Sequence, residues 1–252
     1  MGITIKEVLP AIGTLDRGKP ETVSEGLTAD QVTSLELWAG LPFRDIEALL
    51  SPKRNKALLK AQENKSGTVN IIFHRMKPEE QPRISFSVEQ TVYGQVIIAS
   101  TAIGVCYLVF YNGKAERAQG VVEKHFQGME VTAGSDVFQQ DALGYIQGDN
   151  TKVVHLHVKG TEEQLKIWEE LTKVPEGMVT SYGALGKATE CMAQDVGMAM
   201  GDNRIALLVP CHRVIKSTGE IGQYHYGARL KRAIILREAK KGGRGEGSIA
   251  HK

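Results

Sequence analysis

Apolar residues along the chain fall into short periodic runs, and each run predicts one element. A polar stretch rich in Gly, Pro and Thr occupies residues 1–26 and reads as a poorly ordered lead-in. Behind it, Thr28 with Gln31 three residues on predicts a capping box, and Leu35, Trp38 and Leu41 form the apolar stripe of the helix it opens. Pro42 opens a second helical stretch, FRDIEALL, and Ser51-Pro52 caps a third, KRNKALLKAQ. Three short helices with tight turns describe either a helix-turn-helix or a small bundle packed on the following domain. The polar segment from Lys77 to Arg83, with prolines at 78 and 82, predicts a domain boundary.

Beyond that boundary the period becomes strand-like. ISFSVEQT, GQVIIAST and GVCYLVFYN predict three strands, Lys114 to Phe126 a helix, and VVHLHV (153–158) a further strand. That order predicts a small α/β domain over 81–158. The last third is mostly helical. Thr161 caps EEQLKIWEELTKV, with Leu165, Trp168 and Leu171 along one side, and Pro175-Glu176-Gly177 ends it. Ser181 caps YGALGKAT, and MAQDVGMAMG follows after a tight turn, a spacing that fits a helix-turn-helix. An apolar run, IALLVP, leads into CHRVI, then a turn rich in Gly and Ser, then a basic helix from Ala228 to Lys240. The expected organisation is a lead-in and helical segment (1–80), an α/β domain (81–158), a mostly helical domain (159–241) and a disordered tail (242–252).

Composition narrows the function classes. No run of about 18 apolar residues exists to cross a membrane. The N-terminus lacks the apolar core of a secretory signal, and Lys6 stands where a myristoylation signal prefers Ser or Thr. An intracellular location is expected, cytoplasmic in a bacterium and nuclear in a eukaryote. Cys106, Cys191 and Cys211 have no C-x-x-C spacing, which argues against a disulfide framework or a cysteine-rich zinc site, and no metal ligands are expected. Cys106 lies inside an apolar strand and reads as a buried, inert thiol. The net charge of +2 decides nothing, but its distribution is uneven. From Ala199 to Lys241 nine Lys and Arg residues face only Asp202, Glu220 and Glu238. Such an excess suits either a polyanionic partner or a solvated basic face.

Candidate chemistry centres on Pro210-Cys211-His212-Arg213. A thiol attacks as thiolate, and its ordinary pKa of about 8.5 leaves only a few per cent ionised near neutrality. A histidine that takes the proton, itself oriented by a carboxylate, raises that fraction. Sequence neighbours usually point apart, so His212 needs a turn or a bridging water to reach the sulfur. The bland alternative is a packed cysteine beside a polar neighbour.

Val209-Pro210-Cys211-His212-Arg213-Val214 is similar to the active-site motif of the O6-alkylguanine-DNA alkyltransferases, the methylated-DNA–protein-cysteine methyltransferases. Gly160-Thr161, Gln164, Trp168, Val174-Pro175, Gly177, Thr180-Ser181-Tyr182-Gly183, Val196-Gly197, Asn203, Gly219, Gly222, Tyr224, Gly227, Lys231 and Glu238 fall in the family's order and spacing. TVYGQVIIASTAIGVCYLVFYNGK resembles the hairpin of its N-terminal domain, so the likeness spans roughly residues 84–240. LWAGLPFRDIEALLSPKRNKALLKAQ resembles more weakly part of the regulatory helix-turn-helix of adaptive-response proteins.

The resemblance implies an α+β fold. A small ribonuclease-H-like α/β domain is followed by a mostly helical, winged-helix-like DNA-binding domain carrying the active-site cysteine, with a short helical segment in front. It implies direct-reversal repair of double-stranded DNA containing O6-alkylguanine, by a monomer without cofactor. Cys211 accepts the alkyl group once and irreversibly, His212 deprotonates it through a water, and Glu238 holds the histidine. Asn203 braces the turn, and Tyr182 donates to the base as charge develops. Tyr224, Met200 and His225 line the base pocket, while the Cys211 and Val214 carbonyls read the exocyclic amine. Ser181, Arg213, Lys231 and Gln194 contact DNA. The target nucleotide must be flipped out, and Gln194 stands where the family has an intercalating arginine. Asp195 follows where a small residue is usual, Glu163 replaces an aromatic, and Arg204 replaces a proline. Two further readings stay open: a damage sensor that binds the lesion, which in related proteins lacks the cysteine, and a transcription regulator that senses alkylation of Cys211.

Overall fold

The computed structural model describes residues 3–14, 27–41, 43–62, 70–149 and 151–242. Its elements are α1 (Ile5–Thr14), α2 (Ala29–Ala39), α3 (Phe43–Leu50), α4 (Pro52–Gln62), β1 (Ile71–Arg75), β2 (Ile84–Thr91), β3 (Gly94–Ser100), β4 (Val105–Phe110), α5 (Ala118–His125), β5 (Val131–Ala133), α6 (Val137–Gln147), β6 (Val154–Val158), α7 (Glu162–Thr172), β7 (Thr180–Ser181), α8 (Tyr182–Thr189), α9 (Ala193–Asp202), β8 (Val214–Ile215) and α10 (Ala228–Gly242). The class is α+β, as the sequence led us to expect. Contacts divide the chain into a sheet unit, Gly67–Lys173 with Tyr182–Cys211, and a helical unit, Met1–Ser66 with Val174–Ser181 and His212–Lys252.

In the sheet unit six strands run in the order β1-β6-β4-β3-β2-β5. β2, β3 and β4 form an antiparallel meander, while β6 is parallel to β4 and to β1, and β5 is parallel to β2. Val96, Ile97, Ile98 and Ala99 of β3 are all fully buried, the continuous apolar run of a strand covered on both faces. At Gly104 a Cβ would lie 2.5 Å from the His155 carbonyl oxygen, so only glycine lets the chain pass there. The capping box of Thr161 and Gln164 starts α7, and its Leu165, Trp168 and Leu171 are buried as the spacing predicts. The Trp168 indole N–H donates to the Ala199 carbonyl at 2.9 Å, which fastens α9 to α7. Between α8 and α9 the chain reverses through Glu190 at φ 58, a left-handed conformation that a non-glycine residue adopts at some cost.

The sheet corrects the expected boundary at residue 81. β1 lies ahead of it yet pairs with β6 in parallel, Phe73 opposite Leu156. Its pattern, IIFHR, is too short and too half-buried to stand out beside the prolines that follow. α6 was also not anticipated, although both its ends are written in the sequence. The Asp136 side chain accepts from the Gln139 N–H, and Gly148 closes the helix in the left-handed conformation.

In the helical unit the supposed lead-in contains α1, whose Ile5, Val8, Ala11 and Ile12 make a buried stripe. Pro10 inside the helix and the polar residues that follow mask this period in the sequence. The rest of that lead-in, residues 1–2 and 15–26, lies outside the described residues, as do Pro42 and the tail beyond Gly242. α2 has the expected capping box and ends on Gly40 at φ 63. α1, α2 and α3 all pack against α10, so the N-terminal helices form a bundle with the C-terminal helix. Ile234 and Leu236 of α10 are fully buried there, each contributing roughly 1.5–3 kcal/mol. Arg237 lies over the Trp38 ring at 5.3 Å and donates to the Trp38 carbonyl at 3.2 Å. Among the described residues no helix is long and apolar enough to cross a membrane.

Candidate active site

Cys211 ends a buried apolar run that the sheet holds in place. The Leu108 N–H donates to the Arg204 carbonyl at 2.8 Å, and the Ala206 N–H returns a bond to the Leu108 carbonyl at 2.7 Å. These bonds pin the run to β4. Within it Leu207 sits at φ 68, a strained conformation that survives because its neighbours are fixed on both sides. Asn203 then organises the turn. Its Oδ1 accepts from the Ile205 N–H at 2.9 Å, and its Nδ2 donates to the Val209 carbonyl at 2.8 Å and to Cys211 Sγ at 3.1 Å. An N–H aimed at sulfur complements negative charge there. Asn203 thus clamps the turn and touches the thiol directly. Cys211 itself is buried, and Cys211–Arg213 form a single 3-10 turn.

On the helical unit, His212 is fully buried with its Nε2 2.8 Å from Glu238 Oε1. Glu238 sits one turn from the end of α10's buried face, where position alone would favour an exposed acid. Arg213 grips the same carboxylate twice, Nε to Oε2 at 3.0 Å and Nη2 to Oε1 at 2.8 Å, and its Nη1 donates to the Val174 carbonyl at 2.6 Å. Burial opposes ionisation of Glu238, but Arg213 and His212 outweigh it and hold the carboxyl well below the usual range. Burial likewise pushes the His212 pKa down, with Arg213 and Lys231 adding to it against Glu238. The balance favours the neutral imidazole near pH 7. Its Nε2–H then donates to Glu238, which leaves Nδ1 as a lone-pair acceptor. Nδ1 has no hydrogen-bond partner among the described residues.

The other expected residues are distributed unevenly. Tyr182 is half-buried at the start of α8, Ser181 is half-buried at the end of β7, and Met200 is buried on α9. Gln194 is exposed on the first turn of α9. Asp195 beside it accepts from the Met192 N–H at 3.1 Å, so it caps that helix. Tyr224 is half-buried, 5.4 Å edge-on from Tyr226, and His225 is exposed. Two expected DNA contacts need correction. Arg213 is committed to Glu238, and Lys231 is 1% exposed with its Nζ on the Val214 and Gln223 carbonyls at 2.7 and 3.1 Å. Both cations are buried for internal bonding, so neither faces a phosphate. The Val214 carbonyl therefore already has one donor. Lys216 is paired with Glu220 at 2.7 Å, so the basic excess read from the sequence shrinks further at the surface. Cys106 is buried, donates to the Ala99 carbonyl at 3.6 Å, and burial pushes its thiol pKa far up. Among the described residues no three His, Cys, Asp or Glu side chains are grouped to hold a metal. Sequence reasoning missed the Arg213–Glu238 pair, since nothing in the order of residues signals an ion pair across 25 positions.

His212 and Glu238, buried and hydrogen-bonded, lie next in the chain to a cysteine that Asn203 braces, an arrangement that suits a nucleophilic thiol. Residues 162–240 match the family model described as 6-O-methylguanine DNA methyltransferase, DNA binding domain. The regulatory protein Ada of Salmonella typhimurium is 30% identical over 168 residues, 63% of this chain and 46% of that protein. The methylated-DNA–protein-cysteine methyltransferase of Mycobacterium bovis is 37% identical over 100 residues, 38% of this chain and 61% of that one. Among solved structures, Mycobacterium tuberculosis OGT in complex with DNA is 25% identical with a TM-score of 0.51, covering 63% of this chain and 94% of that one. The chain spans about half the length of curated relatives such as the Salmonella protein, 46% of which it matches.

Proposed function

We propose that this chain reverses alkylation damage by moving an alkyl group from the O6 of guanine in double-stranded DNA onto Cys211, once per molecule, as a monomer and without cofactor. The observation that carries the reading is the buried His212, held by Glu238 that Arg213 grips in turn, next in the chain to a cysteine that Asn203 holds by its sulfur. Nδ1 of His212 takes the thiol proton through a water, and the thiolate attacks the O6-linked carbon in line. A C–S bond forms, the C–O bond breaks, and its electron pair leaves on O6 of the base. The Tyr182 hydroxyl donates to the guanine ring as that charge develops. Tyr224, Met200 and His225 wall the base, and the Cys211 and Val214 carbonyls accept from its exocyclic amine. The thioether product is not a leaving group under these conditions, so the protein is spent.

Reaching O6 requires extrusion of the nucleotide, which costs a few kcal/mol of unstacking. Gln194 and Ser181 meet the duplex. The test is mass spectrometry after mixing with an O6-methylguanine duplex. One methyl group on the Cys211 peptide, at one equivalent, is the expected result. Modification at Cys106 or Cys191, or none at micromolar protein, would overturn the reading.

A further inference from the structure

We infer that the N-terminal helices are a brace for the substrate-facing loop, and that Asn55 on α4 is the positioning residue through which they act. The inference rests on the reading of Cys211 as alkyl acceptor and Tyr224 as a base wall, and extends it to a segment with no role so far.

Asn55 is fully buried, whereas Lys53, Lys56 and Lys60 on the same helix are exposed. Its Nδ2 donates to the Gly219 carbonyl at 3.0 Å, across 164 residues. Gly219 is the corner of a tight turn: its N–H donates to the Lys216 carbonyl at 2.9 Å, and the Lys216 N–H to the Glu220 carbonyl at 3.0 Å. It stands at φ 87, and a Cβ there would lie 2.3 Å from the Pro52 carbonyl oxygen. The turn and the first turn of α4 are therefore in backbone contact, an approach that only glycine allows. Leu58 and Leu59 of α4, with Leu50 of α3, pack on a core of Val179, Ile215, Ile221 and Ile235. Ile215 enters the turn and Ile221 leaves it. Lys231 then grips Val214 and Gln223 by their carbonyls. The stretch from Val214 to Tyr224 is thus stapled from one side by α10 and from the other by α4. Tyr224 follows three residues after Ile221, directly behind the Gln223 carbonyl that Lys231 holds. A loop that must wall a flipped base gains from being fixed beforehand, since ordering it on binding would lower the rate.

The experiment compares wild type, Asn55→Ala and Asn55→Asp, with Lys53→Ala on the same helix as control. Asn55→Asp keeps the volume and removes the donor. Transfer from free O6-benzylguanine is followed by labelled protein against time, which gives both a rate constant and the fraction of molecules that react. Both Asn55 variants are expected to react about tenfold more slowly, the worth of one buried hydrogen bond, with the reacting fraction unchanged. Amide exchange at Lys216 and Gly219 rises by a similar factor while Leu108 in the sheet is unaffected. Unchanged rates overturn the inference. So does a reduced fraction at an unchanged rate, because that is loss of folded protein. Failure of wild type to transfer at all sinks the function proposed above, and amide exchange alone then decides the brace: unchanged exchange at Gly219 overturns it.

Discussion

Replacing Glu238 with Gln keeps the side chain's shape and removes the carboxylate that Arg213 and His212 share. The loss is not merely one hydrogen bond. Arg213 would remain buried at 5% exposure with its bidentate partner gone and an amide N–H turned towards its own donors. Breaking a buried pair in this way costs about 3–5 kcal/mol. For a chain of this length each kcal/mol moves the melting temperature by about 2–4 °C, so a fall of roughly 6–20 °C is expected. Its pH dependence gives a second check. The folded-state pKa of Glu238 lies below its ordinary 4.5, so the stability it contributes is present above that value and fades as pH falls. The folded-state pKa of His212 lies below 6.5, so the unfolded chain takes up a proton there first, and wild type weakens as pH drops through that range. Both groups make wild type acid-sensitive. The gap between wild type and Glu238→Gln should be full at pH 7 and close progressively below 4.5. Differential scanning calorimetry between pH 3 and 8 reads both quantities. A shift under about 2 °C at pH 7, or a gap that widens in acid, would refute the ion-pair account.

Arg213→Met combined with Glu238→Gln should be less destabilising than the two separate losses summed, because no buried charge is stranded; chemical denaturation of the four proteins measures the coupling, and strict additivity would contradict it. Asn203→Asp keeps the volume but removes the donor to Val209 and to sulfur. It should slow methyl transfer at least tenfold, the scale of a buried hydrogen bond made to a charged group, in a stopped-flow assay; equal rates would dismiss the sulfur contact. Gln194→Arg should speed transfer from duplex DNA while leaving free O6-benzylguanine almost unchanged, because only the duplex must be unstacked. Equal acceleration on both substrates would mean that position 194 acts on the thiol instead.

What the sequence revealed, and what it did not, follows from the range of each interaction. Caps and apolar periods are local, so Thr28, Thr161 and the stripes of α2 and α7 are legible in the sequence. The motif around Cys211 was legible for a different reason, as a resemblance. Burial of charge was not. Arg213 and Lys231 look like phosphate ligands in a basic segment, and only three-dimensional packing shows them satisfied by Glu238 and by backbone carbonyls. β1 was missed because a parallel edge strand has no hairpin to announce it; its partner lies 83 positions on, at Val154 opposite Ile71. Asn55 was invisible too, since nothing in KRNKALLKAQ marks one polar residue as facing inward.

The helical unit is built from three separated pieces of chain, and that has a consequence for how the molecule comes into being. Its defining contacts join Asn55 to Gly219 and Trp38 to Arg237, the latter 199 residues apart. The sheet's meander closes over short loops, whereas these contacts must wait for large ones. Closure of α10 against α1, α2 and α3 is therefore the slow step in building the helical unit, and the meander of β2, β3 and β4 is expected to consolidate ahead of it.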